Sequence, residues 1–486
     1  MCAKPKYDVS SCSFGSFIIP LHTYKKYTPL NYIKFRTIFQ RLALVFVLLM
    51  CAVSSQAQNG GGKSSYSRFG LGLLNDQSQG WNRAMGGVGV AMPSGDKLNT
   101  MNPASYAYID SLSFIFDIGM SANFGHMSTP QNSKNVNNAT LDYVVAGFRL
   151  CKDLGLSFGF KPYSTISYSY STISNSAFRD EYTGELVRNT TGYSGAGGLN
   201  QVFLGLGWRP FKGFAIGGDV SLLWGGYTHA LAQGFTQGGS STSVFDGFNF
   251  LQYADVLTYK IDLGAQYAFR VSPKDWLTLG ATVGLGHHFE ADDAYLYRYM
   301  TTGDTLSVDN VGGFDIPMTY AGGISWQHKN TLQVAADFHY QMWGECNVPA
   351  MVISNNVVSY PSTNKMYMDN YMIKAGVQYT PNPLATKGYY NKVRYRLGCS
   401  YSSPYMRIPQ GDSNHMTRLE GPSELTLSMG FGLPISNSYN NRSMVNVGFQ
   451  WLRRSPSSQN LITENYFVLN VGVTFNERWF MKFKIQ

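Results

Sequence analysis

The residues best equipped for chemistry fall into a few small groups. His287-His288 with Glu290, Asp292 and Asp293 carry the side-chain types of a metal site, and on a strand His288 and Glu290 share a face. Such a run at a strand end is also what a solvated rim looks like, and that is the reading adopted. Asp337 and His339 alternate with Phe338 and Tyr340, which puts the polar pair on one face of a strand, turned to a polar interior. Gly86-Gly87 and Gly89 spell half of a nucleotide-binding fingerprint, but no βαβ unit follows them. Lys161 precedes Pro162 inside an otherwise regular strand pattern, where a proline breaks the ladder or marks a bulge. No nucleophile and base can be paired. The chain is expected to be no enzyme and to need no cofactor.

The elements that hold these residues follow from composition and export. Charged residues make up 14% of the 486 and aromatic residues 15%, beside 51 glycines. A soluble domain is about 25% charged. Tyr and Phe with abundant Gly favour strands and turns. Lys34, Arg36 and Arg41 precede an apolar run from Leu42 to Val53, then Ser54-Ser-Gln-Ala57. This is the pattern of a secretory signal, with cleavage expected after Ala57. The run is too short to span a bilayer, which takes about 20 residues. Residues 1–57 hold most of the basic excess, so that their removal lowers the net charge from +9 to +3 and leaves no case for nucleic acid as a partner. Cys151, Cys346 and Cys399 remain, too few and too scattered for a disulfide framework.

From Leu112 the apolar residues recur at every second position. Leu154, Leu156, Phe158 and Phe160 alternate with Gly155, Ser157 and Gly159; Leu425, Leu427, Met429, Phe431 and Leu433 alternate with Thr426, Ser428, Gly430 and Gly432. About fourteen such segments occur, one face apolar and the other polar or Gly. Short turns alternate with long connections near 127–140, 172–198, 230–255, 291–315, 344–367, 404–423 and 454–465. In lipid every backbone polar group needs a partner, so a chain with these strands must close on itself. The predicted fold is all-β: a transmembrane antiparallel up-and-down β-barrel of about 14 strands in the outer membrane. An even number returns the C-terminus to the side of the N-terminus, expected to be the periplasm. Trp208, Trp224, Tyr227, Tyr340, Trp343 and Trp451 are assigned to interfacial girdles. Four regions result: an upstream segment and signal over 1–57, a tail and hatch over 58–111, the barrel over 112–476, and a tail over 477–486.

The stretch Arg83-Ala-Met-Gly-Gly-Val-Gly-Val-Ala91, a spacer, and Met101-Asn-Pro-Ala-Ser105 running into the first strand resembles the FadL-like (TodX-type) outer-membrane transporters of hydrophobic compounds. That resemblance implies a hatch inside the lumen, with Gly86, Gly87, Gly89, Asn102, Pro103 and Ala104 as gate residues. It also implies a kink in the third strand, at Lys161-Pro162, that opens the wall sideways to lipid. The expected function is diffusion of a small hydrophobic compound, similar to a long-chain fatty acid, with lateral exit. The expected partners are outer-membrane lipid, the hydrophobic molecule and the barrel-assembly machinery during insertion, with the chain itself a monomer. The Tyr66-Ser-Arg-Phe-Gly70 entry looks like a subgroup of the Bacteroidetes, some of whose barrels resemble the family in fold but serve in secretion or surface assembly. That role is the alternative.

Overall fold

The computed structural model describes residues 64–486 apart from 131, 180–183, 185, 238–242, 292, 301–304, 310–312, 350–351, 355–356, 360–361, 364–365, 386–387, 411–416, 436–442, 459–460 and 479–486. The signal segment, Asp292 and most of the C-terminal tail lie outside the described residues.

The chain opens with a two-residue strand, β1 (Leu73–Leu74), then the hatch, then the wall. The wall begins with β2 (Ser113–Ser128), β3 (Ser133–Cys151), β4 (Leu154–Pro162), β5 (Ser164–Arg179), β6 (Leu186–Phe211), β7 (Phe214–Gln237), β8 (Ser243–Ser272) and β9 (Asp275–Leu285). The next connection carries β10 (His287–Phe289), β11 (Asp293–Met300), β12 (Thr305–Asp309) and β13 (Phe314–Ile316). β14 (Thr319–His328) and β15 (Leu332–Gln341) return to the wall, followed by the short β16 (Val348–Pro349), β17 (Val352–Ser354), β18 (Val357–Ser359) and β19 (Ser362–Thr363). Then come β20 (Asn370–Tyr379), β21 (Arg394–Ser402), the hairpin β22 (Arg407–Gln410) with β23 (Thr417–Glu420), and finally β24 (Ser423–Pro434), β25 (Met444–Ser455) and β26 (Thr463–Arg478).

With β4 and β5 as two halves of one strand, the wall has fourteen strands. β26 pairs with β2 from Ser113↔Arg478 to Ser128↔Thr463 and closes it. Closure leaves the outside apolar: Leu204, Leu206, Val220, Leu222, Leu257, Leu279, Leu397 and Phe467 stand exposed there. The inward faces carry Gly and polar residues. The barrel is a membrane barrel of the outer-membrane type. By the rule that its short turns face the periplasm, the Ser113↔Arg478 end is periplasmic and the Ser128↔Thr463 end is outer.

Three sequence expectations need correction. Residues 127–140 are not a long loop, since β2 and β3 pair out to Ser128↔Ser133. Residues 172–198 and 230–255 are largely strand: β6 is 26 residues and β8 is 30, against about 10 needed to cross a bilayer. These strands rise past the membrane as an outer sheet that takes in β11 and β12. Tyr227 and Trp343 belong to no girdle. They are buried with Tyr66, Leu71, Leu73, Tyr163, Ile166, Tyr367 and Met406 in one apolar core at the outer mouth. Trp208 and Trp451 do face outward, both exposed.

The third strand breaks at Tyr163. The β3–β4 ladder ends at Val144↔Phe160, whereas the β6 side carries on through Pro162↔Asn200 and resumes at Ile166↔Gly197. Beside the break, Gly198 pairs with Gly226, and Gly197, Gly198 and Gly225 all take positive φ. The break in the ladder falls where proline and glycine permit it.

Candidate functional site

The hatch fills the periplasmic half of the lumen, and its own sequence explains its shape. A single helical turn, Gly80–Arg83, ends in a tight reversal in which Gly86 and Gly87 have φ of 74° and 75°. The Gly87 N–H closes it by donating to Asn82 O at 2.9 Å. Gly89 and Val90 then donate their N–H groups to Asp337 Oδ2, at 2.6 and 3.0 Å. Asn102 joins the two halves of the hatch. Its Oδ1 caps the 3₁₀ turn Pro103–Tyr108 by accepting from the Ala104 N–H at 3.0 Å, and its Nδ2 donates to Val90 O at 2.7 Å. The same Nδ2 reaches two wall carbonyls, Ala265 at 3.2 Å and Ala281 at 3.3 Å. Pro103 suits the first position of that turn, where an N–H would go unused.

The wall is cut to fit this backbone. A Cβ at Gly376 or Gly398 would overlap Met85, one at Gly280 would overlap Val90, and one at Gly217 would overlap Pro103. Gly155, Gly207 and Gly264 meet the Pro103–Tyr108 turn or its cap in the same way. Glycines from successive strands thus ring the lumen at the height of the hatch.

Charge holds the hatch at both ends. Arg83, 5% exposed, pairs with Asp142 of β3 at 2.6 Å and with Asp76 at 3.2 Å. On the periplasmic side Asp96 pairs with Arg394, and Lys97 lies 3.8 Å from the centre of the Trp81 ring. Burial works against the charge of Asp96, but Arg394 and then Lys97 outweigh it and hold the carboxyl well below the usual carboxylate range. Burial, with Arg394 close by, lowers the Lys97 ammonium well below an ordinary lysine.

All eight residues expected to act at the gate therefore touch the hatch or border it. Gly86, Gly87 and Gly89 shape its reversal, and Asn102, Pro103 and Ala104 its cap. Lys161 points inward from β4, donating to Thr100 Oγ1 of the hatch at 3.2 Å. Pro162 O accepts from Gln77 Nε2 at 3.0 Å. Asp337 was legible only as an inward residue; its grip on Gly89 and Val90 joins positions far apart in sequence, which periodicity does not reveal.

Above the hatch lies a cavity of about 340 Å³. Its lining includes Asp76, Asp219, Asp262 and Glu424 together with Lys161, Lys260, Lys374 and Arg454. Opposed charges in equal number suit water and ion pairs better than hydrocarbon.

The other candidates make local contacts. His288 pairs with Asp315, and His287 stacks on Tyr259 with ring centres 4.2 Å apart while bonding Thr258 at 2.7 Å. Among the described residues no three His, Cys, Asp or Glu side chains come together as metal ligands do. Gly155-Leu-Ser-Phe-Gly159 has the spelling of a hydrolase elbow, but it runs straight through β4, where buried Ser157 donates to Ala146 O at 3.0 Å. Cys346 is free and buried in an outer connection, where burial pushes its thiol up to about 12.

Known proteins divide into family and fold. The BamG family model matches residues 38–486. The chain belongs to the BamG family. No curated protein matches it. Solved structures give this BamG member a fold resembling the FadL channels. A Pseudomonas aeruginosa FadL homologue superposes with TM-score 0.55 at 12% identity, covering 84% of this chain and 99% of that one. The P. putida toluene transporter TodX gives 0.51 at 15%, covering 82% and 98%. The CymD monoaromatic hydrocarbon channel gives 0.51 at 14%, covering 83% and 98%. At such identities the likeness is one of fold.

Proposed function

We propose that this chain is an outer-membrane component of the Bam machinery, serving the assembly of other proteins at the membrane rather than passing small molecules. Membership of the BamG family over residues 38–486 carries this reading. The lumen agrees with it. A channel for apolar cargo needs an apolar path, whereas four acidic and four basic side chains stand in the lining of the cavity above the hatch, among residues such as Leu73, Trp343, Met372 and Leu452. The hatch is wedged against glycines and held by ion pairs, which suits a permanent filling.

The test is purification in mild detergent followed by native mass spectrometry, alongside depletion of the protein in cells. A stoichiometric complex with other Bam components, and a fall in folded outer-membrane barrels on depletion, are the expected results. A protein that purifies alone, and whose depletion leaves those barrels at normal levels, would overturn the reading.

A second reading is favoured by one observation. The third strand breaks at Pro162–Tyr163, and in a FadL-like fold that is where an apolar compound would leave sideways into lipid. Uptake of toluene or a fatty acid by liposomes holding the purified barrel, above that of empty liposomes, would revive it.

A further inference from the structure

The path of the chain ahead of the hatch is unexpected. The first described residue lies at the outer end of the barrel. Ser64 Oγ donates to both Glu464 carboxyl oxygens, at 2.7 and 2.8 Å, and the Ser65 N–H donates to Oε1 at 3.1 Å. Glu464 pairs with Met127, one step from the outer limit of the closing seam. Residues 64–112 therefore descend the lumen from outer mouth to periplasmic end, where β2 begins.

On the way down they pass the break in the wall. Above Val144↔Phe160, β3 and β5 no longer pair, which leaves the β5 edge bare. A bare edge is costly in a bilayer and recruits strands wherever it occurs. Here residues 64–77 answer it. Leu73 and Leu74 pair with Thr165 and Ser164 as β1. The Asn75 N–H donates to Tyr163 O at 2.9 Å and the Ser64 N–H to Ser167 O at 3.2 Å, while Ser67 Oγ accepts from the Ser167 N–H at 3.1 Å. From the lumen side Tyr405 Oη donates to Gly72 O at 2.8 Å, and Tyr367 Oη accepts from the Leu71 N–H at 3.1 Å.

We propose that residues 64–77 are a segment donated in cis, in which a 3₁₀ turn over Ser65–Arg68 and the two-residue strand Leu73–Leu74 stopper the side breach between β3 and β5, and which carries the Ser64 end to the outer mouth. The inference does not depend on the Bam reading. It follows from the hydrogen-bond partners of this segment, by the logic of strand addition.

Two variants test the seat. Gly72 has φ of 86°, and a Cβ there would come within 2.5 Å of Ile166 Cγ1 and 2.7 Å of Thr165 O, so Gly72→Val unseats β1 without changing a wall residue. The reporter is Ser164→Cys, at a buried position paired with Leu74 of β1, in a chain with Cys151, Cys346 and Cys399 changed to Ala. A water-soluble maleimide should label it at least about tenfold faster with Gly72→Val than without; equal rates would overturn the proposal. If Gly72→Val does not fold, Leu73→Cys with Thr165→Cys decides, since directly opposed strand residues lie within disulfide range. Efficient cross-linking is expected, and none would overturn the seat. For the path, an epitope placed immediately before Ser64 should be reached by antibody on intact cells. Detection only after permeabilisation would overturn the outward course.

Discussion

The Asp337 carboxyl group holds the backbone N–H of Gly89 at 2.6 Å, from the middle of a wall strand to the centre of the hatch. The same oxygen takes the Val90 N–H, so one side chain satisfies two donors that have no water to turn to. Asp337→Ala is expected to cost about 1–3 kcal/mol, the penalty for leaving such groups buried and unpaired. The readout is the temperature at which the compact, heat-modifiable band of the barrel disappears on a gel loaded without boiling.

Gly376→Leu and Gly398→Leu should be far more damaging than substitutions by Leu on the outer face. Each side chain would have to occupy the space of the Met85 backbone. The expected result is loss of the heat-modifiable band, or a folded barrel with the hatch displaced and newly cleavable by protease. A fully stable barrel with a protected hatch would show that the fit is loose.

Arg83→Met leaves Asp142, whose side chain is 12% exposed, without its partner at 2.6 Å. Breaking a buried pair from one side costs about 3–5 kcal/mol. Adding Asp142→Asn should recover part of the loss, and the shortfall from additivity in a double-mutant cycle measures the coupling.

The hatch should also loosen in acid. Asp96 has its folded pKa depressed beside Arg394, so the folded state binds fewer protons than the unfolded chain below about pH 4. The stabilisation is complete above the unfolded value and is lost as pH falls towards the folded one. The Asp96 side chain is 31% exposed, and solvent screening keeps the effect modest. Asp96→Asn should lower stability at pH 7 and flatten its decline between about pH 4 and pH 2, measured by the same gel assay at each pH.

Much of the fold could be read before the structure, because lipid enforces a two-residue period. Leu425, Leu427 and Met429 turn outward and Thr426, Ser428 and Gly430 inward, as their alternation implies. That signal fades where lipid ends. Above the membrane the exposed residues of β6 and β7 include Ser194, Gly197 and Ala232, which look like loop. Tyr227 and Trp343 misled for a related reason: composition marks an aromatic residue but not which side of a wall it faces. The inward glycines were visible as a pattern, but their purpose depends on Met85, Val90 and Pro103, which lie far away in sequence.

The glycine ring has a consequence for how such a barrel can change. Strand number and shear set the diameter of the cylinder, so the filling cannot stretch it. Hatch and wall are instead key and lock: a bulkier residue at Gly376, Gly398 or Gly280 leaves Met85 or Val90 no room, and the two can change only together.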